Sequence, residues 1–169
     1  MVHPRVRLNS TGFPVAAMLM VVTMAGCTEQ KYQALAGAPD GIAEVLTVSG
    51  GEHAQIGHAE GSFLEAVRQP NRVVLVDFWG PHCGPCLHLA PELEAIARQY
   101  PDEVSVVKID VESSKNTELA MFFAIHAIPE IRIFVDGQSA GAIHGYVAAS
   151  RIDQHLKPAL ALLDSRSGP

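Results

Sequence analysis

The sequence predicts an α/β fold with a mixed central β-sheet and helices on both faces. Short runs rich in Val and Ile, typical of buried strands, alternate with segments of helical periodicity, and this alternation favours parallel strands. Near the end of the chain, Asp136-Gly137 separates two apolar runs and predicts an antiparallel hairpin. The 169 residues, 48% of them hydrophobic and 18% charged, suffice for one domain with appendages.

The first three elements are placed by apolar spacing and by prolines. Apolar side chains share one face of a helix over residues 62–69, which Pro70 ends. The β-branched run Val73–Val76 suits a central strand that is buried on both faces. A second helix is indicated over Pro85–Tyr100, although Pro91 inside it lacks an N–H and should kink it.

Two further elements follow in the middle of the folded part. Val104–Val111 is again rich in Val and Ile and predicts a second strand. Thr117–Ala124 has the spacing of a short helix, and we expect Leu119, Phe122 and Phe123 to face inward.

A hairpin and a final helix complete the predicted fold. Ile131–Val135 and Ala140–Val147 are the strands on either side of the turn. Ser150 is a suitable N-cap for a last helix, in which apolar residues recur at helical spacing. Pro158 lies inside this helix and is expected to bend or split it.

Residues 1–26 have the layout of a secretory signal sequence. A basic start precedes the nearly apolar run Phe13–Ala25, which falls short of the ~20 residues that a membrane span needs. The following Met24-Ala25-Gly26-Cys27 resembles the lipobox of bacterial lipoproteins. That resemblance implies cleavage of the signal and a lipidated Cys27 as the mature N-terminus. An ordinary signal or an uncleaved anchor is the alternative.

Residues 27–52 are predicted to be a lipid-anchored, flexible tether. From residue 28 this segment is rich in Gly, Ala and small polar residues, a composition typical of linkers. Val45–Val48 offers the alternative of a short strand, which would end the tether earlier. The folded domain is expected to span residues 53–169.

Charge and cysteine content exclude several classes of protein. The net charge is -6, and the only basic stripe is the short N-terminal one, so we expect no nucleic-acid partner. Three cysteines are too few for a small secreted scaffold held by disulfides. Two of them, Cys83 and Cys86, form one C-x-x-C motif.

The C-x-x-C motif has three interpretations. A zinc site needs two more ligands; His82 and His88 are close, but the chain has no second C-x-x-C, so we expect no metal and no cofactor. An inert structural disulfide is the second interpretation. A redox pair is favoured, because the motif lies where a buried strand gives way to a helix.

The helix start predicts different roles for the two cysteines. Cys83 faces free backbone N–H groups and the positive end of the helix dipole, which lower the pKa of its thiol and make it a nucleophile. Cys86 lies one turn deeper and can attack the mixed disulfide that Cys83 forms. Gly84-Pro85 between them gives a tight turn and a helix-compatible start.

One run of this sequence resembles the active-site segment of thioredoxins: Val76-Asp77-Phe78-Trp79-Gly80-Pro81-His82-Cys83-Gly84-Pro85-Cys86. Similarity extends from about Ile56 to Leu163 and covers nearly all of the folded part. This resemblance implies a thioredoxin fold. Other landmarks of the family have counterparts at Asp77, Pro91, Lys108, Ile128-Pro129, Gly137 and Gly145.

The resemblance also implies roles. Asp77 and Lys108 would form a buried acid–base pair in which Asp77 takes the proton of Cys86 through water; a structural ion pair is the alternative. Pro129 would be cis, would keep a backbone N–H away from the thiolate and would let its neighbour pair with an extended substrate strand. The implied substrate contacts are Trp79, His82, Gly84, Pro85, Ile128, Pro129, Glu130 and Gly145.

Two positions depart from the family pattern. His82 stands where Trp usually precedes the first cysteine, so an apolar contact is lost and a titratable group is gained beside Cys83. We expect a protonated imidazole there to stabilise the thiolate and to make the disulfide more oxidising. Glu130 follows the proline where Thr is usual, and this Pro-Glu pair resembles the extracytoplasmic reductases of cytochrome c maturation.

We therefore expect a thiol–disulfide oxidoreductase that reduces or exchanges protein disulfides outside the cytoplasm. A lipid on Cys27 would anchor it to a membrane, on the periplasmic side of a bacterium. Its partners would be disulfide-containing proteins and an electron donor, for which a membrane thiol reductase is a candidate. A dedicated reductase in cytochrome c maturation and a non-catalytic binding or chaperone module are the alternatives.

Overall fold

Six strands form one mixed sheet with helices on both faces, as seen in a computed structural model that describes residues 35, 38–39, 41–49 and 55–166. This architecture confirms the predicted α/β fold class. The elements are β1 (Ile42–Ser49), β2 (Gln55–Ser62), α1 (Phe63–Val67), β3 (Val73–Trp79), α2 (Gly84–Gln99), β4 (Val104–Asp110), a 3₁₀ turn (Ser114–Asn116), α3 (Thr117–Phe122), β5 (Glu130–Val135), β6 (Gln138–His144) and α4 (Ala149–Arg166).

The strand order is β2-β1-β4-β3-β5-β6. Strands β3 and β4 are parallel because helix α2 carries the chain back across the sheet between them, and every other pair is antiparallel. Strand β3 is therefore central, which explains its continuous apolar run and its almost complete burial. The register places Asp77 beside Lys108 of β4 and beside Ile131 of β5.

Alternate residues of the strands supply two cores, one on each face of the sheet. Helices α2 and α4 cover the first face, where Val73 and Leu75 meet Leu89 and Leu156. Helices α1 and α3 cover the second. The aromatic centre of the second core consists of Phe63, Phe78, Phe123 and Phe134.

The hairpin turn is formed as the sequence predicts. Asp136 and Gly137 have φ values of 50° and 75°, and two consecutive residues with positive φ define the turn that matches the twist of antiparallel strands. Strands β5 and β6 pair on either side of the turn, with a register shift near Phe134.

The prediction of a tether over residues 27–52 is wrong in its second half. Strand β1 occupies Ile42–Ser49 and pairs with both β2 and β4, so its backbone is hydrogen-bonded on both sides. Ala43 is buried, and Leu35 contributes to the second core. The tether prediction rested on the glycines on either side of the strand, whereas β1 itself reads Ile-Ala-Glu-Val-Leu-Thr-Val-Ser and is rich in residues that favour strands.

The predicted signal sequence, residues 1–26, and Cys27 lie outside the described residues, so their assignment stays a prediction. In the part of the chain that the structure describes, no helix combines the length and apolar character needed to cross a membrane.

Helices α3 and α4 differ from their predicted details. Phe122 is exposed rather than inward, because α3 ends there and the chain turns through Ala124, whose φ is 51°. Helix α4 begins at Ala149, one residue before the predicted N-cap, and it continues through Pro158 without being split. Its first turn is capped from another helix: Oε2 of Glu92 accepts a hydrogen bond from the Ala149 N–H at 2.7 Å.

Candidate active site

A disulfide joins Cys83 and Cys86 at the point where β3 ends and α2 begins. Cys83 is the N-cap of α2, and Gly84 and Pro85 form its first turn. Proline is tolerated there because the first N–H groups of a helix have no acceptor within it. The chain thus leaves a buried strand and presents the sulfur of its N-cap at the edge of the sheet.

The two cysteines differ in exposure. Cys86 is 2% exposed, whereas Cys83 is partly exposed. The Cys86 N–H donates a hydrogen bond to Sγ of Cys83 at 3.2 Å. In the reduced protein, this donor and the positive end of the helix dipole favour negative charge on Cys83. The geometry supports the predicted assignment of Cys83 as nucleophile and Cys86 as resolving thiol, and the roles themselves stay predictions.

Asp77 is a buried acid on the sheet face that α2 covers. It alternates with Val73 and Leu75 along β3 and is 1% exposed. Neither of its carboxyl oxygens has a hydrogen-bond partner among the described residues. Burial raises the pKa of Asp77 from 3.8 to about 7, and the charge of Lys108 opposes that rise. A carboxyl group of this kind can accept and release a proton near neutral pH.

The resemblance implied that Asp77 and Lys108 form a buried acid–base pair, and that role stays a prediction. The two residues are register partners on β3 and β4, but the described ion pairs do not include them. The Lys108 ammonium instead lies 3.9 Å from the centre of the Trp79 ring. The charge of Lys108 therefore acts on Asp77 without a direct contact, and the Lys108 ammonium itself packs against the Trp79 ring. A pocket of about 240 Å³ lies against this contact, lined by Trp79, Lys108, Glu44, Glu60, Asp110, Ser113, Lys115 and Asn116.

The Ile128–Pro129 peptide bond is cis, as the resemblance implied. Pro129 is buried immediately before β5, and its carbonyl accepts a hydrogen bond from the Gly145 N–H at 2.8 Å. Gly145 has a φ of 76°, a left-handed conformation that glycine adopts without strain. This contact joins the end of β6 to the proline loop. Substrate binding along that loop stays a prediction.

Glu130 is a second buried acid, 4% exposed, on the opposite face of the sheet from Asp77. Its Oε1 lies 2.5 Å from Nε of Arg132, and its Oε2 lies 3.2 Å from Nδ1 of His144. Arg132 also donates a hydrogen bond to the Phe123 carbonyl at 2.9 Å. Sequence reasoning identified Glu130 but missed its two partners. The available signal was the spacing of Glu130 and Arg132, which places both side chains on one face of a strand.

His82 is exposed at the rim of the disulfide and is not alone there. Its Nδ1 lies 2.6 Å from Oε2 of Glu112, a residue that sequence reasoning did not single out. The hydrogen bond that the protonated His82 ring donates to Glu112 raises the pKa of the imidazole, with further contributions from the charges of Glu112 and Asp110. When its ring is protonated, His82 therefore forms an ion pair with Glu112.

The described residues include no group of three or more His, Cys, Asp or Glu side chains arranged to hold a metal ion. Both sulfurs of the motif are consumed by the disulfide, and Nδ1 of His82 is engaged by Glu112. What the arrangement offers is thiol chemistry: an accessible sulfur, a buried second sulfur and an acid that titrates near neutral pH.

Comparison with known proteins also indicates thiol chemistry at this site. The family model described as Thioredoxin matches residues 55–158. Thioredoxin 1 of Synechococcus elongatus is 40% identical over 101 residues, which are 57% of this chain and 92% of that protein. The thioredoxin of Mycolicibacterium smegmatis is 36% identical over 109 residues, which are 64% of this chain and 97% of that protein. Since more than half of the chain matches and the paired Cys83 and Cys86 lie within the matched range, the chain belongs to the thioredoxin family and is a thiol–disulfide oxidoreductase.

Proposed function

We propose that this protein reduces or exchanges disulfides of protein substrates outside the cytoplasm, anchored to a membrane by a lipid on Cys27. The observation that carries the redox part is the disulfide between the partly exposed Cys83 and the buried Cys86. The location rests on residues 1–26 and on the lipobox resemblance ending at Cys27.

The reaction begins with the reduced dithiol. The Cys83 thiolate attacks one sulfur of a substrate disulfide, and that S–S bond breaks as a mixed disulfide forms. The second substrate sulfur leaves as a thiolate and takes up a proton. Cys86 then loses its proton and attacks Cys83, which forms the intramolecular disulfide and releases the other substrate thiol. The substrate gains two electrons and two protons, and the dithiol loses them.

Asp77 is suited to take the proton of Cys86. Its pKa of about 7 lets the carboxylate form accept a proton at neutral pH and release it afterwards. Because neither carboxyl oxygen has a hydrogen-bond partner among the described residues, the transfer would pass through water.

The direction that we propose is reduction of the substrate, because Gly84-Pro85 between the cysteines resembles thioredoxins rather than strongly oxidising relatives. An electron donor must then restore the dithiol, and a membrane thiol reductase fits the proposed location. A midpoint potential near about -270 mV supports a reductase, and one near about -120 mV would show an oxidant.

A dedicated role in cytochrome c maturation is a second candidate, and its only support is the Pro129-Glu130 pair. In the structure the Glu130 carboxylate is buried, and its two oxygens contact Arg132 and His144. These contacts within the protein do not favour a role for Glu130 in binding a substrate. The third candidate, a non-catalytic binding module, has no specific observation in its favour, since both cysteines are present and paired.

Insulin reduction by the full chain tests the redox function. Wild type with a chemical reductant should accelerate insulin precipitation, and Cys83→Ser should abolish this effect. Cys86→Ser should accumulate mixed disulfides with substrates, because the resolving thiol is missing. A Cys83→Ser variant that still traps substrates would contradict the assignment of the nucleophile. Mass spectrometry of the membrane fraction tests the anchor, and an unmodified Cys27 there would refute it.

A further inference from the structure

One carboxylate at the rim of the disulfide has no role in the chemistry described so far. Oε2 of Glu112 lies 2.6 Å from Nδ1 of His82, and His82 directly precedes Cys83 in the chain. The His82 side chain is 86% exposed and that of Glu112 is 37% exposed. Water competes for exposed ion pairs, so a contact this short needs a structural reason.

The backbone around Glu112 supplies the first part of that reason. The Val111 N–H donates a hydrogen bond to the Trp79 carbonyl at 2.9 Å. The Glu112 N–H donates to Oδ1 of Asp110, also at 2.9 Å. The first bond joins the end of β4 to the end of β3, and the second fixes the local turn that contains Glu112. They place the Glu112 side chain over Gly80, which lies two residues before His82.

Gly80 supplies the second part. Its φ lies outside the left-handed region, so the backbone conformation does not require glycine. A Cβ at this position would lie 2.8 Å from Cδ and 3.0 Å from Cγ of Glu112, and closer still to Oε1. Distances below 3 Å are not tolerated between such atoms, so any larger residue at position 80 would displace the carboxylate. The missing side chain of Gly80 therefore provides the space through which Glu112 reaches His82.

We propose that Glu112 is a positioning residue for disulfide exchange, and that with Gly80 it holds the His82 imidazolium beside Cys83 with its Nε2 available to a docked substrate. This inference rests on the proposed function of the dithiol. Nδ1 is engaged by Glu112, which leaves Nε2 as the ring nitrogen that faces solvent. A substrate approaching Cys83 would then meet a held cation in place of a mobile, partly neutral ring.

The physical consequence is a changed pH dependence at Cys83. An isolated imidazole with a pKa of about 6.5 is only about one-quarter protonated at pH 7, whereas the carboxylates of Glu112 and Asp110 keep His82 charged to higher pH. The negative charge of Glu112 also offsets part of the field that His82 exerts on Cys83. Removing Glu112 should therefore weaken thiolate stabilisation at neutral pH and strengthen it at acidic pH.

A Glu112→Gln variant of the full chain tests this, with Glu94→Gln as the matched control. Glu94 carries an equally exposed carboxylate, and it pairs with Arg98 on the surface of α2. NMR titration of the His82 ring should show a lower pKa in Glu112→Gln and no change in Glu94→Gln. An unchanged His82 titration in Glu112→Gln would overturn the proposal, whatever the activity.

Alkylation of reduced Cys83 by iodoacetamide supplies the second measurement. Relative to wild type, the rate for Glu112→Gln should be about two- to fivefold lower at pH 7 and higher at pH 5.5, because an interaction near 1 kcal/mol changes a rate by no more than this. A structural disturbance would move both rates in one direction. A ratio to wild type that is the same at both pH values would therefore overturn the proposed role.

Gly80→Ala tests the spacing while leaving both charged residues in place. The added methyl group should push the Glu112 carboxylate aside and lower the His82 pKa in the same direction as Glu112→Gln, by a smaller amount. An unchanged pKa would refute the role of Gly80. If insulin reduction fails while the His82 titration responds as expected, the proposed function is wrong and the positioning contact remains.

Discussion

Two carboxylic acids are buried on opposite faces of the same sheet. Asp77 of β3 and Glu130 of β5 occupy neighbouring strands, one register step apart, and both are almost fully buried. Asp77 faces the core beneath α2 and has no hydrogen-bond partner among the described residues. Glu130 faces the core beneath α3 and is bound by Arg132 and His144.

The difference shows that burial alone does not make a carboxyl group into a proton carrier. Burial penalises the charged form of both groups. For Glu130, a guanidinium and an imidazole replace the lost water with direct contacts. For Asp77, the only opposing charge among the described residues is that of Lys108, which lies over the Trp79 ring, and burial raises the pKa to about 7. The missing partner is what suits Asp77 to proton transfer.

The largest expected effect is that of Asp77→Asn on stability. The folded-state pKa of Asp77 is raised from 3.8 to about 7, so the native protein binds more protons than the unfolded chain between those values. Stability should therefore fall as pH rises through this window, by on the order of 4 kcal/mol. Asp77→Asn removes this loss, so its stability relative to wild type should increase from pH 4 to pH 8 by that amount.

Urea unfolding of the oxidised protein at pH 4, 6 and 8 measures this difference. Glu130→Gln is the matched control, because it makes the same change in a buried acid that has partners. If both variants gain stability equally as pH rises, the partners of Glu130 are irrelevant and the comparison fails.

The next largest effect should follow from removing a partner of Glu130. Arg132→Gln leaves a buried carboxylate with one contact fewer and also removes a hydrogen bond to the Phe123 carbonyl. Loss of a partner from a buried charge is costly, and partial exposure of Arg132 reduces the penalty to about 2 to 3 kcal/mol. Urea unfolding at pH 7 gives the value, and in a Glu130→Gln background the loss should shrink by at least half.

Most of the fold could be predicted from the sequence because its elements follow local patterns. The Val- and Ile-rich runs of β3 and β4 and the turn at Asp136-Gly137 each carry their own signal. Strand β1 was not predicted as a firm element, since glycines on either side of its short apolar run resemble a linker and the local sequence does not show its pairing with β2 and β4.

The candidate site was predictable in part. Cys83, Cys86 and Asp77 stand in one short run, where local order and burial are readable. Two partners that tune the site come from elsewhere in the chain: Glu112 is 30 residues from His82, and His144 meets Glu130 across the pairing of β5 with β6. Arg132, by contrast, is two residues from Glu130 on the same strand, and only that spacing was readable from the sequence. No local pattern shows which distant side chain will meet a given group, so the contacts made by Glu112 and His144 could be identified only from the structure.

An intermediate effect is expected for Glu92, a half-buried carboxylate with a backbone partner. Its Oε2 accepts the Ala149 N–H at 2.7 Å and so caps α4 from another helix. Glu92→Ala should cost about 1 kcal/mol, as the loss of other helix caps does, and should lower the protection of the first turn of α4 in hydrogen exchange. Unfolding together with exchange measures both, and Glu94→Ala on the same helix is the control. Unchanged protection at the start of α4 would exclude the capping role.

The smallest expected effect concerns the second partner of Glu130. Arg132 and His144 contact the two oxygens of one carboxylate, so the acceptor and its burial are identical for both. They differ in exposure: the Arg132 side chain is 24% exposed and that of His144 is 72% exposed. Water and salt screen an exposed donor, so His144→Ala should cost about 0.5 kcal/mol, with exposed His126→Ala as the control.

Double-mutant cycles of each partner with Glu130→Gln isolate the two coupling energies. The coupling of His144 should be the smaller and should decline from 0.05 to 0.5 M NaCl, while that of Arg132 changes little. Equal couplings would show that burial of the acceptor sets the strength of both contacts, and the partner-based comparison between Asp77 and Glu130 would then have to be abandoned.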